Sequence, residues 1–167
     1  MNTSKKFPSV EDVKLLNITG PWKTKSGGEL SVLFSLPYVI LKSFISYDLA
    51  ELKKSSVDIR GLRGYKVYNL KKGAVGGLEF HKIRKELLFP LKGSIRLKLT
   101  DINHQTKTVI LKDSSMGVYI PPFMIHEYEV LEDNTVLVGI ANTLFFPDKE
   151  ETHDTYSEKE FWEIEKV

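Results

Sequence analysis

From residue 78 onward the chain repeats one unit: a short apolar-rich run, then turn residues, about every ten residues, the spacing of antiparallel sandwiches and barrels. The candidate strands are 78–83, 87–91, 94–99, 106–111, 117–120, 126–130 and 135–142. Within them, Ser94-Ile95-Arg96-Leu97-Lys98-Leu99 alternates strictly, which places Ile95, Leu97 and Leu99 on a core face and Arg96 and Lys98 on the other. Upstream, 13–18, 29–34 (after the turn pair Gly27-Gly28), 38–47 and 65–70 read as further strands. Residues 101–105 read as a hairpin tip that leaves His104 in solvent. In the tail, Ser157 and Glu160 fit a capping box, and Phe161 and Ile164 share one face of the helix that follows. His153, just before that helix, reads as surface.

A length of 167 residues suits one domain over 1–167, with N-terminal strands in 1–64 and a helical tail at 154–167. Net charge is +2 and the 24 basic residues are dispersed, which argues against a nucleic-acid partner. Cysteine is absent, so disulfides, thiolate chemistry and Cys-ligated zinc are excluded. The most apolar stretch, 30–45, is interrupted by Ser31, Ser35, Pro37 and Lys42, so no membrane span is expected. The polar segment Met1 to Lys6 leads into no signal-peptide core, and a cytoplasmic address is the expectation.

Chemistry concentrates in two places. Glu79 and His81 stand two apart on a strand and share a face. On the run after Pro121-Pro122, His126 shares a face with Tyr128, while Glu127 and Glu129 point the other way. If both histidine faces turn inward, a polar cluster sits in an apolar interior, where it needs mutual hydrogen bonds, water or a ligand. An apolar pocket with a few convergent polar groups is a binding site by default.

Glu79-x-His81, Glu86 and Gly93, then a proline and His126, resembles the two-part cupin signature, whose metal-binding members carry His-x-His, Glu and a final His. The stretch Asp113-Ser114-Ser115-Met116-Gly117-Val118-Tyr119-Ile120-Pro121-Pro122, with His126-Glu127 following, is similar to that of the nucleotide-sugar 3,4-ketoisomerases, the WxcM-like family. Leu91-Lys92-Gly93-Ser94, Tyr65-Lys66-Val67-Tyr68, Ser26-Gly27-Gly28-Glu29-Leu30 and the acidic tail 154–161 resemble further stretches of it. The likeness runs from about Tyr65 to Phe161, and 36–62 is longer than the family pattern needs. Where the family has Arg-Gly-x-His-Ala-His, this chain has Gly76-Gly77-Leu78-Glu79-Phe80-His81. The second histidine is kept, the first is Glu79, and the arginine is Gly76.

The resemblance implies an all-β, jelly-roll-like cupin with a short C-terminal helix. It implies an isomerase that moves a carbonyl from C4 to C3 of a 6-deoxyhexose linked to dTDP or a similar nucleotide, in deoxysugar or polysaccharide biosynthesis. It implies no cofactor, no metal and a homodimer. His81 is then the acid/base, since an imidazole suits both roles. Glu79 orients it or acts as the base, and Tyr68 brings a phenol to the oxyanion, with Asn69 as the competing match. His126, Tyr119, Tyr128 and Asn69 fall on substrate-binding positions; Glu86 reads as structural. Two other readings stand beside this one. Glu79, His81, Glu86 and His126 offer two imidazoles and two carboxylates to a first-row divalent metal. A sugar-binding cupin without catalysis is the other.

Overall fold

Alternation is realised nearly residue for residue in the second half of the chain. The computed structural model describes residues 7–55, 57–113 and 116–164. Met1 to Lys6, and Ser114 and Ser115 of the family-like stretch, lie outside the described residues. In chain order the strands are β1 (Lys14–Asn17), β2 (Thr19–Lys23), β3 (Glu29–Val32), β4 (Arg60–Leu70), β5 (Val75–Phe80), β6 (Glu86–Lys92), β7 (Ser94–Thr100), β8 (Thr106–Lys112), β9 (Met116–Ile120), β10 (Ile125–Val130), β11 (Thr135–Thr143) and β12 (Tyr156–Ser157). The helices are α1 (Tyr38–Phe44), α2 (Leu49–Leu52) and α3 (Glu158–Ile164).

Two five-stranded antiparallel sheets form the body, ordered β1-β9-β6-β11-β4 and β12-β5-β10-β7-β8, and β2 pairs with β3 in a separate hairpin. Leu88, Val118, Ile120 and Leu137 of the first sheet meet Ile95, Leu97, Leu99, Leu111 and Val130 of the second in one buried cluster. The expected outward residues stay outside: Lys98 pairs with Glu127 at 3.0 Å, and Arg96 pairs with Glu129. No helix among the described residues is long and apolar enough to cross a membrane.

Residues 38–47 do not form the expected strand. Tyr38–Phe44 is helix α1, entered through Pro37. Of its apolar residues, Phe44 is buried and Ile40, one turn earlier, is half-buried, while Tyr38 and Val39 are exposed. That spacing of four is helical, and β-branched content alone misreads it. The surplus segment 36–62 thereby acquires a purpose. Phe44, with Leu33, Phe34 and Leu36, covers Leu87, Phe89 and Tyr119 on the outer face of the first sheet. Tyr47 donates its hydroxyl to the Asn142 carbonyl at 2.7 Å, and the Asn142 amide donates to the Phe44 carbonyl at 3.0 Å. The first half of β6 is buried throughout instead of alternating, because both faces of this sheet are covered.

The tail docks as expected. Glu160 accepts from the Ser157 amide at 2.7 Å, and the Glu160 amide donates to the Ser157 hydroxyl at 3.4 Å. Phe161 is fully buried against Phe80, Ile102, Phe123 and Ile125, and removing a ring buried this way costs about 3–5 kcal/mol. His104 is not merely solvated: its ring stacks on Trp162 at 4.2 Å and 11°. His153 is half-buried; it stacks on Phe145 at 4.5 Å and donates Nε2–H to the Phe146 carbonyl at 3.2 Å. In both cases an aromatic partner distant from the expected surface position captures the imidazole.

Candidate functional site

Register decides which polar groups meet. In the β5–β10 pairing Glu79 stands directly opposite His126. His81 follows β5 by one residue, on the side that Glu79 faces. Glu86 opens β6 in the opposing sheet, and its Oε2 enters the same space. His81 Nε2 lies 3.9 Å from Glu79 Oε1 and 3.7 Å from Glu86 Oε2. His126 Nε2 lies 4.0 and 3.8 Å from the same two oxygens. The ring centroids are 5.1 Å apart. His81, Glu86 and His126 are buried, and Glu79 is half-exposed.

Backbone carbonyls fix both rings. His81 Nδ1 donates to the Asp154 carbonyl at 2.7 Å and His126 Nδ1 donates to the Met124 carbonyl at 3.1 Å. A carbonyl can only accept, so each Nδ1 carries a proton, and each Nε2 points into the cluster. Asp154, buried and at φ 47°, anchors this arrangement from the C-terminal tail. Its carboxylate accepts from the amides of Lys82 at 3.0 Å, Ile83 at 2.9 Å and Arg84 at 2.7 Å, clamping the loop after His81.

Glu86 is held as a carboxylate. Burial works to raise its pKa, but the adjacent His81, His126 and the Arg84 guanidinium outweigh it and keep the group well below the usual carboxylate range. Its Oε1 accepts from the Tyr65 hydroxyl at 3.0 Å and from Arg84 Nη1 at 3.2 Å. Tyr65 reaches Glu86 from two strands away because Gly139, its partner on β11, has no side chain. A Cβ there would stand 2.1 Å from the Tyr65 ring. Burial and the Glu86 charge raise the Tyr65 phenol far above its ordinary value, so it serves as a donor. Burial, with the proximity of His81, lowers the pKa of His126.

Beside the cluster lies a cavity of about 310 Å³, lined by Arg63, Tyr65, Glu79, Arg84, Phe145 and Thr155. Arg63 packs its guanidinium 5.1 Å from the Phe145 ring centroid and 5.6 Å from that of Tyr65. Burial and the Arg84 charge lower its pKa, and its Nε has no hydrogen-bond partner among the described residues. Glu79 touches both regions, facing the imidazoles and the cavity.

Of the sequence-predicted residues, Glu79, His81, Glu86 and His126 are brought together. Tyr128 sits nearby, inside the sandwich, with its ring over Gly76, where a Cβ would lie 2.4 Å from the phenol. The position at which the family carries arginine is therefore filled by a tyrosine from the next strand. Tyr68 and Asn69 are not brought in. Tyr68 is 56% exposed, on the face of β4 opposite Tyr65 and Val67, and Lys66 lies over its ring; Asn69 is exposed at φ 60° near the end of the strand. Tyr119 lies on the outer face of its sheet, edge-on to Phe44, where burial pushes its phenol up to about 12. Tyr65, Arg63, Arg84 and Asp154 were not singled out as functional. Period-two counting along β4 places Arg63 and Tyr65 on one face; nothing local marks Arg84 and Asp154, which come from loops.

A family model described as FdtA: WxcM-like, C-terminal matches residues 45–163. No curated protein matches the sequence. Among solved structures, a 3,4-ketoisomerase from Helicobacter canadensis is similar at 20% identity and a TM-score of 0.64, over 93% of this chain and 98% of that one. QdtA, a sugar 3,4-ketoisomerase from Thermoanaerobacterium thermosaccharolyticum solved in complex with TDP, matches at 20% identity and 0.64, over 94% and 96%. A dTDP-4-dehydrorhamnose 3,5-epimerase from Bacillus anthracis, with TDP and PPi bound, matches at 16% identity and 0.61, over 90% and 82%. The two facing antiparallel sheets are thus the cupin-like fold expected from the sequence.

Proposed function

The chain belongs to the WxcM-like, C-terminal family, and from that premise we propose that it is a sugar-nucleotide isomerase that moves a carbonyl between C4 and C3 of a nucleotide-linked 6-deoxyhexose. The observation that carries this reading is the pair of buried imidazoles, His81 and His126, whose Nε2 atoms converge on Glu79 and Glu86 next to the cavity of about 310 Å³. Such a pair can take a proton from carbon and return it to the neighbouring one.

In this reading His81 Nε2 removes the C3 proton of the 4-ketone, the C3–H electrons form the C3=C4 double bond, and O4 gains a proton to give the enediol. Loss of the O3 proton and delivery of a proton to C4 then complete the 3-ketone, with no net change in atoms. Glu79 stabilises the imidazolium formed in the first half, and His126 holds the sugar oxygens. Tyr65, through Glu86, takes the place given to Tyr68 by resemblance. Arg63, whose Nε has no hydrogen-bond partner among the described residues, suits the diphosphate of a nucleotide. The ligands solved with QdtA, TDP and TDP-4-keto-6-deoxyglucose, point to the same class.

The test is turnover of a panel of TDP-, UDP- and GDP-linked 4-keto-6-deoxyhexoses in D2O, followed by NMR. Deuterium at C4 of a 3-keto product from one nucleotide series is expected. Absence of exchange across the whole panel, with folded protein, would overturn the reading.

The same proposal includes a cytoplasmic homodimer. Trp22 and Leu30 of the β2–β3 hairpin, each about half exposed, and Tyr38 and Val39 of α1, each 74% exposed, form apolar surface that a second copy would cover. Trp22→Asp is expected to shift the light-scattering mass from two chains to one without changing the circular dichroism spectrum; an unchanged mass would remove this part.

A further inference from the structure

One guanidinium ties together the two sides of the cluster. Arg84 stands in the loop between β5 and β6, its side chain only 8% exposed. Its Nη1 donates to Glu86 Oε1 at 3.2 Å. The other oxygen of that carboxylate faces both imidazoles, 3.7 Å from His81 Nε2 and 3.8 Å from His126 Nε2. Its Nη2 donates to the His153 carbonyl at 2.5 Å and to the Thr155 hydroxyl at 3.0 Å. Between those two residues lies Asp154, whose carbonyl accepts from His81 Nδ1 at 2.7 Å. The grip is reciprocal, because the Asp154 carboxylate accepts from the Arg84 amide at 2.7 Å. Glu86 on one side and the turn that holds His81 on the other thus meet at one side chain.

Stability is a poor explanation for a guanidinium in this place. The attraction within a buried ion pair is largely offset by the cost of removing both charges from water. Arg84 Nε, also buried, has no hydrogen-bond partner among the described residues, a further cost. An apolar side chain of similar length would fill the space without either. What arginine alone offers is a rigid planar fork that donates in two directions at once; an ammonium is a single point of charge. The fork fixes the separation between Glu86 and the 153–155 turn, and with it the placement of the His81 ring against Glu86 Oε2. Proton transfer is sensitive to placement on this scale: a displacement of about 1 Å costs about 10²-fold in rate. Both Nη atoms hold protein oxygens, so Arg84 acts on a sugar in the adjoining cavity through His81 and Glu86.

We propose that Arg84 is a positioning residue for the isomerisation: its forked guanidinium holds the His81 ring in register with Glu86, and turnover depends on the fork rather than on the charge alone. The effect on turnover rests on the isomerase reading; the placement of the ring does not.

Arg84→Ala in the intact chain, with chemical rescue, tests this. A fall in kcat of about 10²-fold is expected, with KM within about threefold. Ethylguanidinium, the group that the substitution removes, should restore at least about tenfold of the loss, and ethylammonium, equal in charge but without the fork, should not. Proton NMR in water gives a readout without substrate. The His81 Nδ1–H, identified by its absence in His81→Asn, should shift or broaden in Arg84→Ala and return with ethylguanidinium. A folded Arg84→Ala protein overturns the proposal if its kcat is unchanged, if only KM rises, or if the two cations repair it equally or not at all. Should Arg84→Ala fail to fold by circular dichroism, Arg84→Lys takes its place: a reduced kcat is expected, and full activity overturns the fork. A wild type that isomerises nothing overturns the isomerase reading, and the Nδ1–H resonance then decides alone: unchanged in the variant, it overturns the placement as well.

Discussion

His81→Asn lowers kcat for sugar isomerisation by about 10²–10⁴-fold, the range of a lost general acid/base, while the melting temperature stays close to that of the wild type. The asymmetry comes from the ring's two nitrogens. The asparagine amide can occupy the position of Nδ1 and still donate to the Asp154 carbonyl, now 2.7 Å away. It has no counterpart of Nε2, the atom that faces Glu79 and Glu86. Proton abstraction is lost and the structural anchor is kept. Steady-state kinetics on whichever nucleotide sugar the panel identifies, beside a thermal melt, checks both halves. Activity within tenfold of wild type in a folded His81→Asn protein would remove His81 from the chemistry.

Asp154→Ala is expected to destabilise the chain by about 3–5 kcal/mol. One buried carboxylate accepts three backbone N–H groups, those of Lys82, Ile83 and Arg84. Bonds to a charged acceptor are worth about 1.5–3 kcal/mol each, and their loss leaves buried donors unpaired. The sum is not simply additive, because the loop relaxes and water enters. For a domain of this size the midpoint falls by about 2–4 °C per kcal/mol, so a drop of roughly 10 °C is the expected reading in a thermal scan. Asp154→Asn keeps one acceptor oxygen and should fall less. The same substitution should impair catalysis in whatever fraction stays folded, because the carbonyl of this residue orients His81. A melting point within 2 °C of wild type would show that the clamp contributes little.

Both predictions join a local pattern to a distant partner, and the boundary between what could be read locally and what could not runs between them. The strands from β5 to β11 were legible because a sheet with one buried face imposes period two, and Ile95, Leu97 and Leu99 against Arg96 and Lys98 obey it without exception. The same periodicity put Glu79 beside His81 and His126 beside Tyr128. Helix α3 was legible from its capping pair. Helix α1 was not, since an apolar run rich in β-branched and aromatic residues fits either period until it is known which side of it packs. Pro37 at its start and burial of Phe44 against the outer sheet settled the matter.

The candidate site divides the same way. Chemical character, two imidazoles and two carboxylates in a β-rich chain without cysteine, belongs to the sequence alone, because residue type and strand parity are local properties. Tertiary structure decided the rest: that Glu86 of the facing sheet enters the cluster, that Tyr65 rather than Tyr68 meets Glu86, and that Asp154 positions His81 from 73 residues away. Those partners are set by how two sheets stack and where the tail returns. Both depend on the sum of many weak contacts across the fold, and no short stretch of residues encodes them.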